Sequence, residues 1–183
     1  MTDHEDLSDR DRGGNDKRCF IFVIGAPGAG KRALSNRLPQ DNGFTHISVG
    51  DLLRVKMGKE SVIARHVENG ELLPWEHLFP VLEEAFRDAR PGRPIILDGF
   101  PRWVAQATCF HKFYDSLSLV LFFSCPKELA KKRVLNRDTG RYGDISEAFE
   151  KRYNQFLKMN PDILECYGSR GLDRLVEVGV LCM

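Results

Sequence analysis

The run from Cys19 to Ile24, CFIFVI, is apolar throughout and is followed at once by GAPGAGK, residues 25–31. An uninterrupted apolar run this short reads as a strand buried on both faces, the kind found in a parallel sheet covered by helices. The glycines after it allow a sharp turn, and Lys31 opens a helical pattern over residues 31–38. Strand, glycine loop and helix N-terminus in that order form an anion trap. Exposed backbone N–H groups and the helix dipole favour phosphate, and the lysine adds a charge. The spacing G-x-x-x-x-G-K is met from Gly25 to Lys31, but Arg32 and Ala33 stand where such loops usually carry a hydroxyl.

The rest of the chain repeats the alternation. PIILD (94–98), LVLFFS (119–124) and LVEV (175–178) read as further buried strands, with a shorter one at HIS (46–48). Helical patterns occupy 51–57, 60–69, 75–89, 101–113, 126–137 and 146–167. Pro39 removes a helical hydrogen bond, so the first helix is expected to stop at Leu38. Strands alternating with helices predict an α/β fold with a parallel sheet and helices on both sides. Residues 1–18 mix both charge signs with almost no apolar side chains and predict a flexible tail, leaving 19–183 as a single domain.

Charge and cysteine content narrow the setting. The net charge of +1 gives no global argument for nucleic acid or an acidic membrane as partner. No apolar run approaches the roughly 18 residues of a membrane span. The 5 cysteines are scattered, without a CxxC pair, and no signal peptide is evident. That pattern predicts a reducing, cytoplasmic setting rather than a disulfide framework. His46, His66, His77 and His111 share no ligand spacing and are assigned to packing or surface roles.

Charged residues near the predicted strand ends carry the chemistry. Asp98 ends a strand, where an acidic residue beside a phosphate loop holds magnesium or its waters. Arg133 and Arg137 are four residues apart and share a face if both are helical. They precede Gly140-Arg141 and Arg152, which weakens the reading of the pair as an ordinary solvated surface. Gln106 lies four residues after Arg102 and on its own reads as an exposed helical side chain.

Taken in order, GAPGAGK, HISVGDLLR (46–54), GELLP (70–74), LDGFPRWVAQ (97–106), RVLNR (133–137), GRYGD (140–144) and KR (151–152) resemble the adenylate kinase family of nucleoside monophosphate kinases. The resemblance runs from about Cys19 to Val178. It implies a three-layer α/β/α P-loop kinase fold with a five-stranded parallel sheet, a monophosphate-binding helical region at 48–77 and a short lid at 137–146. It also implies ATP and AMP as substrates, Mg2+ entering with ATP, and a monomer.

Residue by residue, the resemblance assigns ATP to Gly25, Ala26, Pro27, Gly28, Ala29, Gly30, Lys31, Arg32, Ala33, Arg133 and Arg137. It assigns AMP to Val49, Arg54, Leu73, Gly99, Arg102, Gln106, Arg141 and Arg152, and the magnesium shell to Asp98 through waters. Lys31, Arg102, Arg137, Arg141 and Arg152 take the catalytic roles. Arg54 and Arg102 match the pair that grips the monophosphate. Gln106 matches the glutamine that reads adenine, where pyrimidine kinases tend to carry asparagine.

Several positions depart from the family pattern. Arg32 and Ala33 replace glycine and threonine after the lysine, and Val49 replaces a threonine near adenine. Gly143-Asp144 stands for a pair of aspartates in a short lid that has no cysteines for zinc, and Met183 falls where a closing helix is expected. Three readings follow from these residues: an adenylate kinase, a kinase for UMP, CMP or another monophosphate, and a nucleotide-binding protein with little turnover.

Overall fold

The computed structural model describes residues 18–33, 43–58, 62–114, 116–137, 145–169 and 175–179. Within them, strands β1 (Phe20–Gly25), β2 (Thr45–Ser48), β3 (Ile95–Asp98), β4 (Leu117–Ser124) and β5 (Leu175–Gly179) form one sheet in the order β2-β3-β1-β4-β5. Every pairing is parallel. The helices among the described residues are α1 (Val49–Val55), α2 (Val62–Glu68), α3 (Trp75–Asp88), α4 (Val104–Phe113), α5 (Lys127–Leu135) and α6 (Ser146–Gly168). Residues 31–33 are also helical. This is the three-layer α/β/α P-loop kinase fold expected from the sequence.

The central strand explains the sheet. Phe20, Phe22 and Val23 of β1 are fully buried, as strands flanked on both sides and covered on both faces require. On one face, Phe20 and Phe22 meet Phe110 of α4 edge-on, each at 5.0 Å between ring centroids. Phe86, Phe100 and Tyr167 join the same core. A smaller core gathers Val23, Ile96 and Phe123 with Ala130 and Val134 of α5 and Phe149 and Tyr153 of α6.

Three of the helix boundaries that differ from the sequence expectation bear on the placement of charged side chains. α1 begins at Val49 rather than at residue 51, because Ser48 caps it by accepting from the Asp51 N–H at 3.3 Å. α4 begins at Val104 rather than at residue 101. Trp103 is extended, with φ −154° and ψ 160°, and the Phe100–Pro101 bond before it is cis. α5 ends at Leu135, so Arg137 lies beyond the helix that was expected to carry it beside Arg133. Pro39 and the expected helix end at Leu38 lie outside the described residues, as do residues 1–17 of the expected tail. Arg18, the last residue assigned to that tail, donates from Nη1 to the Phe86 carbonyl at 2.8 Å.

Chain direction reverses around β1. The chain leaves β1 towards β2 on one side and leaves β3 towards β4 on the other, which opens a crevice at the C-terminal ends of β1 and β3. Register brings the crevice walls level. Val23 pairs with Asp98, and Ser48 pairs with Asp98 from the opposite strand.

Candidate functional site

A cavity of about 1110 Å³ lies over that crevice. Its floor is the loop after β1. Gly28 there has φ +81°, and a Cβ would stand 2.1 Å from the Ala130 carbonyl oxygen. The loop can therefore approach α5 only without a side chain. Gly28→Ala is expected to lower stability by about 2 kcal/mol or more, from the strained φ and the backbone clash. Calorimetric unfolding checks this, and an unchanged midpoint contradicts it.

Lys31 reaches back over the loop and donates to the carbonyls of Gly25 at 2.8 Å and Ala26 at 2.9 Å. Burial pushes its pKa down from 10.5 to about 8; nearby Asp98 opposes the shift, and Arg102 and Arg137 add to it. An ammonium held this way, with like charges around it, is set up to gain from an arriving anion. Asp98, 8% exposed at the end of β3, lines the same cavity.

The guanidinium groups converge on this floor from four separate segments. Arg54 of α1 and Arg102 both face Gly50, where a Cβ would lie 3.5 Å from Arg54 Nη1 and Nη2 and 3.6 Å from Arg102 Nη2. Arg54 is paired with Asp51 on the same helix. Arg133 of α5, Arg137 just after it and Arg152 of α6 also line the cavity. Arg102 keeps accessible surface towards the cavity, yet its guanidinium is hemmed in by protein. Burial, then the charges of Arg152 and Arg54, lower its hold on its proton. The cations repel one another, and an anion seated among them relieves that repulsion.

Other sequence-assigned residues fall into place unevenly. Gly25, Pro27, Gly30, Arg32 and Ala33 line the cavity, but the Ala26 and Ala29 side chains are buried in the smaller core. Val49, Leu73 and Gly99 line the opposite part of the cavity. Gln106 also lines it but is 2% exposed, and both ends of its amide are engaged. Its Oε1 accepts from the Arg102 N–H at 2.9 Å, and its Nε2 donates to the Leu73 carbonyl at 3.2 Å. Arg141, Gly143 and Asp144 lie outside the described residues, as does most of the expected lid.

Two polar residues of the cavity wall given no site role in the sequence stand out. His46, assigned to packing or surface, lines the cavity with Nε2 3.9 Å from Asp98 Oδ2. Burial lowers its pKa below the usual histidine value, with Asp98 and then Asp51 opposing. The alternation of β2 places His46 and Ser48 on one face, a signal that becomes useful only once β2 is known to pair with β3. Asn160 of α6 is the other, buried at 7% exposure on the cavity wall.

A parallel sheet with a glycine loop, a lysine and converging arginines at a strand crevice defines a phosphate-loop nucleotide kinase. A family model described as adenylate kinase matches residues 23–172. The chain is 34% identical over 173 residues to UMP-CMP kinase 3 of Arabidopsis thaliana, covering 92% of this chain and 85% of that protein. It is 32% identical over 164 residues to a uridylate kinase of Saccharomyces cerevisiae, covering 85% and 80% respectively. Adenylate kinase isoenzyme 1 of Sus scrofa is 32% identical over 167 residues, covering 87% and 86%. The chain belongs to the adenylate kinase family. It is an ATP-dependent nucleoside monophosphate kinase. No helix among the described residues is long and apolar enough to cross a membrane.

Proposed function

We propose that the chain transfers a phosphoryl group reversibly from MgATP to AMP, giving two ADP. The observation that carries this reading is the gathering of Lys31, Asp98 and guanidiniums from four segments around one cavity of about 1110 Å³. That volume exceeds the roughly 300–1,000 Å³ that holds one drug-sized ligand, as seating two nucleotides requires.

On this reading, the loop N–H groups and Lys31 hold the donor phosphates. Arg133 lies against the ATP base, and Arg54 with Arg102 holds the acceptor phosphate. Arg137 and Arg152, with Arg141 of the lid, surround the group in transfer. Forked, planar donors suit the charge spread over its equatorial oxygens. The acceptor oxygen is already anionic, so orientation and electrostatics dominate and no protein nucleophile is needed.

Magnesium binds through one or two carboxylates together with phosphates and waters. Asp98 beside the loop fits that donor set and would hold the ion through its water shell. When bound, the ion supplies charge neutralisation across the donor phosphates. Loss of the hydroxyl at Arg32–Ala33 removes a contact worth about 1.5–3 kcal/mol and favours a slower enzyme.

Gln106 supports adenine as the acceptor base, because an amide both donates and accepts. Seating adenine there exchanges the contacts Gln106 makes with Arg102 and Leu73. Those same contacts, with the UMP-CMP kinase names among the relatives, favour a second reading in which the acceptor is UMP or CMP. Coupled ADP formation with AMP, UMP, CMP and GMP separates the two. AMP is expected to lead in kcat/KM by at least about tenfold, since the amide of Gln106 matches the adjacent donor and acceptor of adenine better than the edge of a pyrimidine. A lead for UMP or CMP removes the AMP assignment and leaves the kinase reading standing.

A further inference from the structure

Helix α6 runs between two packed regions. Its first turns, with Phe149 and Tyr153 buried and Phe156 alongside, belong to the core that holds Ala26 and Ala29 of the glycine loop. Its last turns, with Ile163 and Tyr167, belong to the core that holds Leu73, Phe100 and Ala107. Asn160 falls between them on the same helical face, at the seam of the donor and acceptor halves.

Three observations set this residue apart. It is 7% exposed, it lines the cavity, and no hydrogen-bond partner meets its amide among the described residues. The one side-chain polar atom among them that is both sealed off and unpartnered is Trp103 Nε1, so the Asn160 amide opens onto the cavity. A polar amide with no protein partner among the described residues, set between Phe156 and Ile163 on the cavity wall, is free to bond whatever the cavity takes up. Arg152, about two turns nearer the start of the helix, lines the same space.

We propose that Asn160 is a nucleotide-contacting residue of the phosphoryl transfer, its amide N–H donating to a phosphate oxygen directly or through one water once both nucleotides are seated. A neutral donor suits this point. Six arginines and Lys31 already line the cavity, and another buried cation would add to their mutual repulsion. The inference rests on the kinase reading.

Asn160→Leu removes the hydrogen-bonding groups while keeping the branched shape and the number of heavy atoms. The thermal midpoint is expected to hold or rise, and affinity for ATP alone to stay within about twofold. The monophosphate kcat/KM at saturating ATP, and affinity for diadenosine pentaphosphate, which spans both halves, are expected to fall by about 10- to 100-fold. Asn160→Asp, which sets a carboxylate against phosphate, is expected to fall further. Asn160→Thr keeps a hydroxyl donor and is expected to retain most of both properties; it also carries the test if the leucine variant does not fold. Wild-type turnover and wild-type affinity for diadenosine pentaphosphate in Asn160→Leu overturn the proposal, as does a threonine variant as impaired as the leucine one. If the wild type itself turns over no monophosphate, the kinase reading fails, and dinucleotide affinity still reports on Asn160.

Discussion

Arg102→Ala is expected to lower kcat/KM for the monophosphate by about 10²- to 10⁴-fold while leaving ATP affinity nearly unchanged. A guanidinium gripping phosphate makes charge-assisted, paired hydrogen bonds worth about 1.5–3 kcal/mol each, so losing two gives an effect of this size. Arg102→Lys is expected to recover only a small part. It keeps the charge but loses the planar fork and the reach that places Nε 3.3 Å from the Gly99 carbonyl. The unliganded protein should respond the other way. Burial and the charges of Arg152 and Arg54 all work against the charged Arg102, so the alanine variant is expected to unfold at the same temperature or higher. Steady-state kinetics with monophosphate varied, beside a thermal melt without nucleotide, test both halves. Equal losses for ATP and monophosphate would remove Arg102 from the acceptor side.

That opposition between stability and function also marks where the sequence was easy to read and where it was not. β1, β3 and β4 were legible because strands covered on both faces carry unbroken apolar runs, and the glycine loop was legible because its spacing is itself the chemistry. The start of α4 was not. Pro101-Arg102-Trp103 satisfies a helical start, but Trp103 is extended in the fold. Arg133 and Arg137 line one cavity, though not for the reason their spacing suggested. Arg137 stands past the end of α5, with its N–H on the Val134 carbonyl at 3.4 Å. Ala26 and Ala29 match the loop pattern in sequence while their side chains pack into the core. His46 and Asn160 escaped because a polar residue's burial depends on which strand or helix lies opposite, and no local period encodes that. Gln106 was singled out in the sequence, yet its hydrogen bonds to Arg102 and Leu73 exist only once α4 and the 70–74 segment meet.

Lys31→Met is expected to lower kcat by about 10²- to 10³-fold, the scale for removing one preorganised donor aimed at developing charge. The variant should keep its fold, because the methionine stem follows the path of the lysine and what is lost is two hydrogen bonds to loop carbonyls. A second signature separates this role from a structural one. With no nucleotide bound, burial holds the Lys31 pKa down at about 8, below the 10.5 of a free lysine. For folding, the charged form is disfavoured, so this group's contribution is greatest above pH 10.5 and is lost as pH falls towards 8. Bound phosphate reverses the preference by pairing with the ammonium, which raises its pKa in the complex. Nucleotide binding therefore takes up a proton at alkaline pH, and ATP affinity is expected to fall with rising pH above about 8, by up to tenfold per pH unit. Titration calorimetry at pH 9 in buffers of different ionisation enthalpy should report uptake approaching one proton per site. The same titration with Lys31→Met should report none, and its affinity should be flat with pH. A wild-type affinity that stays level from pH 7.5 to 9.5 would mean that Lys31 does not meet the donor phosphates.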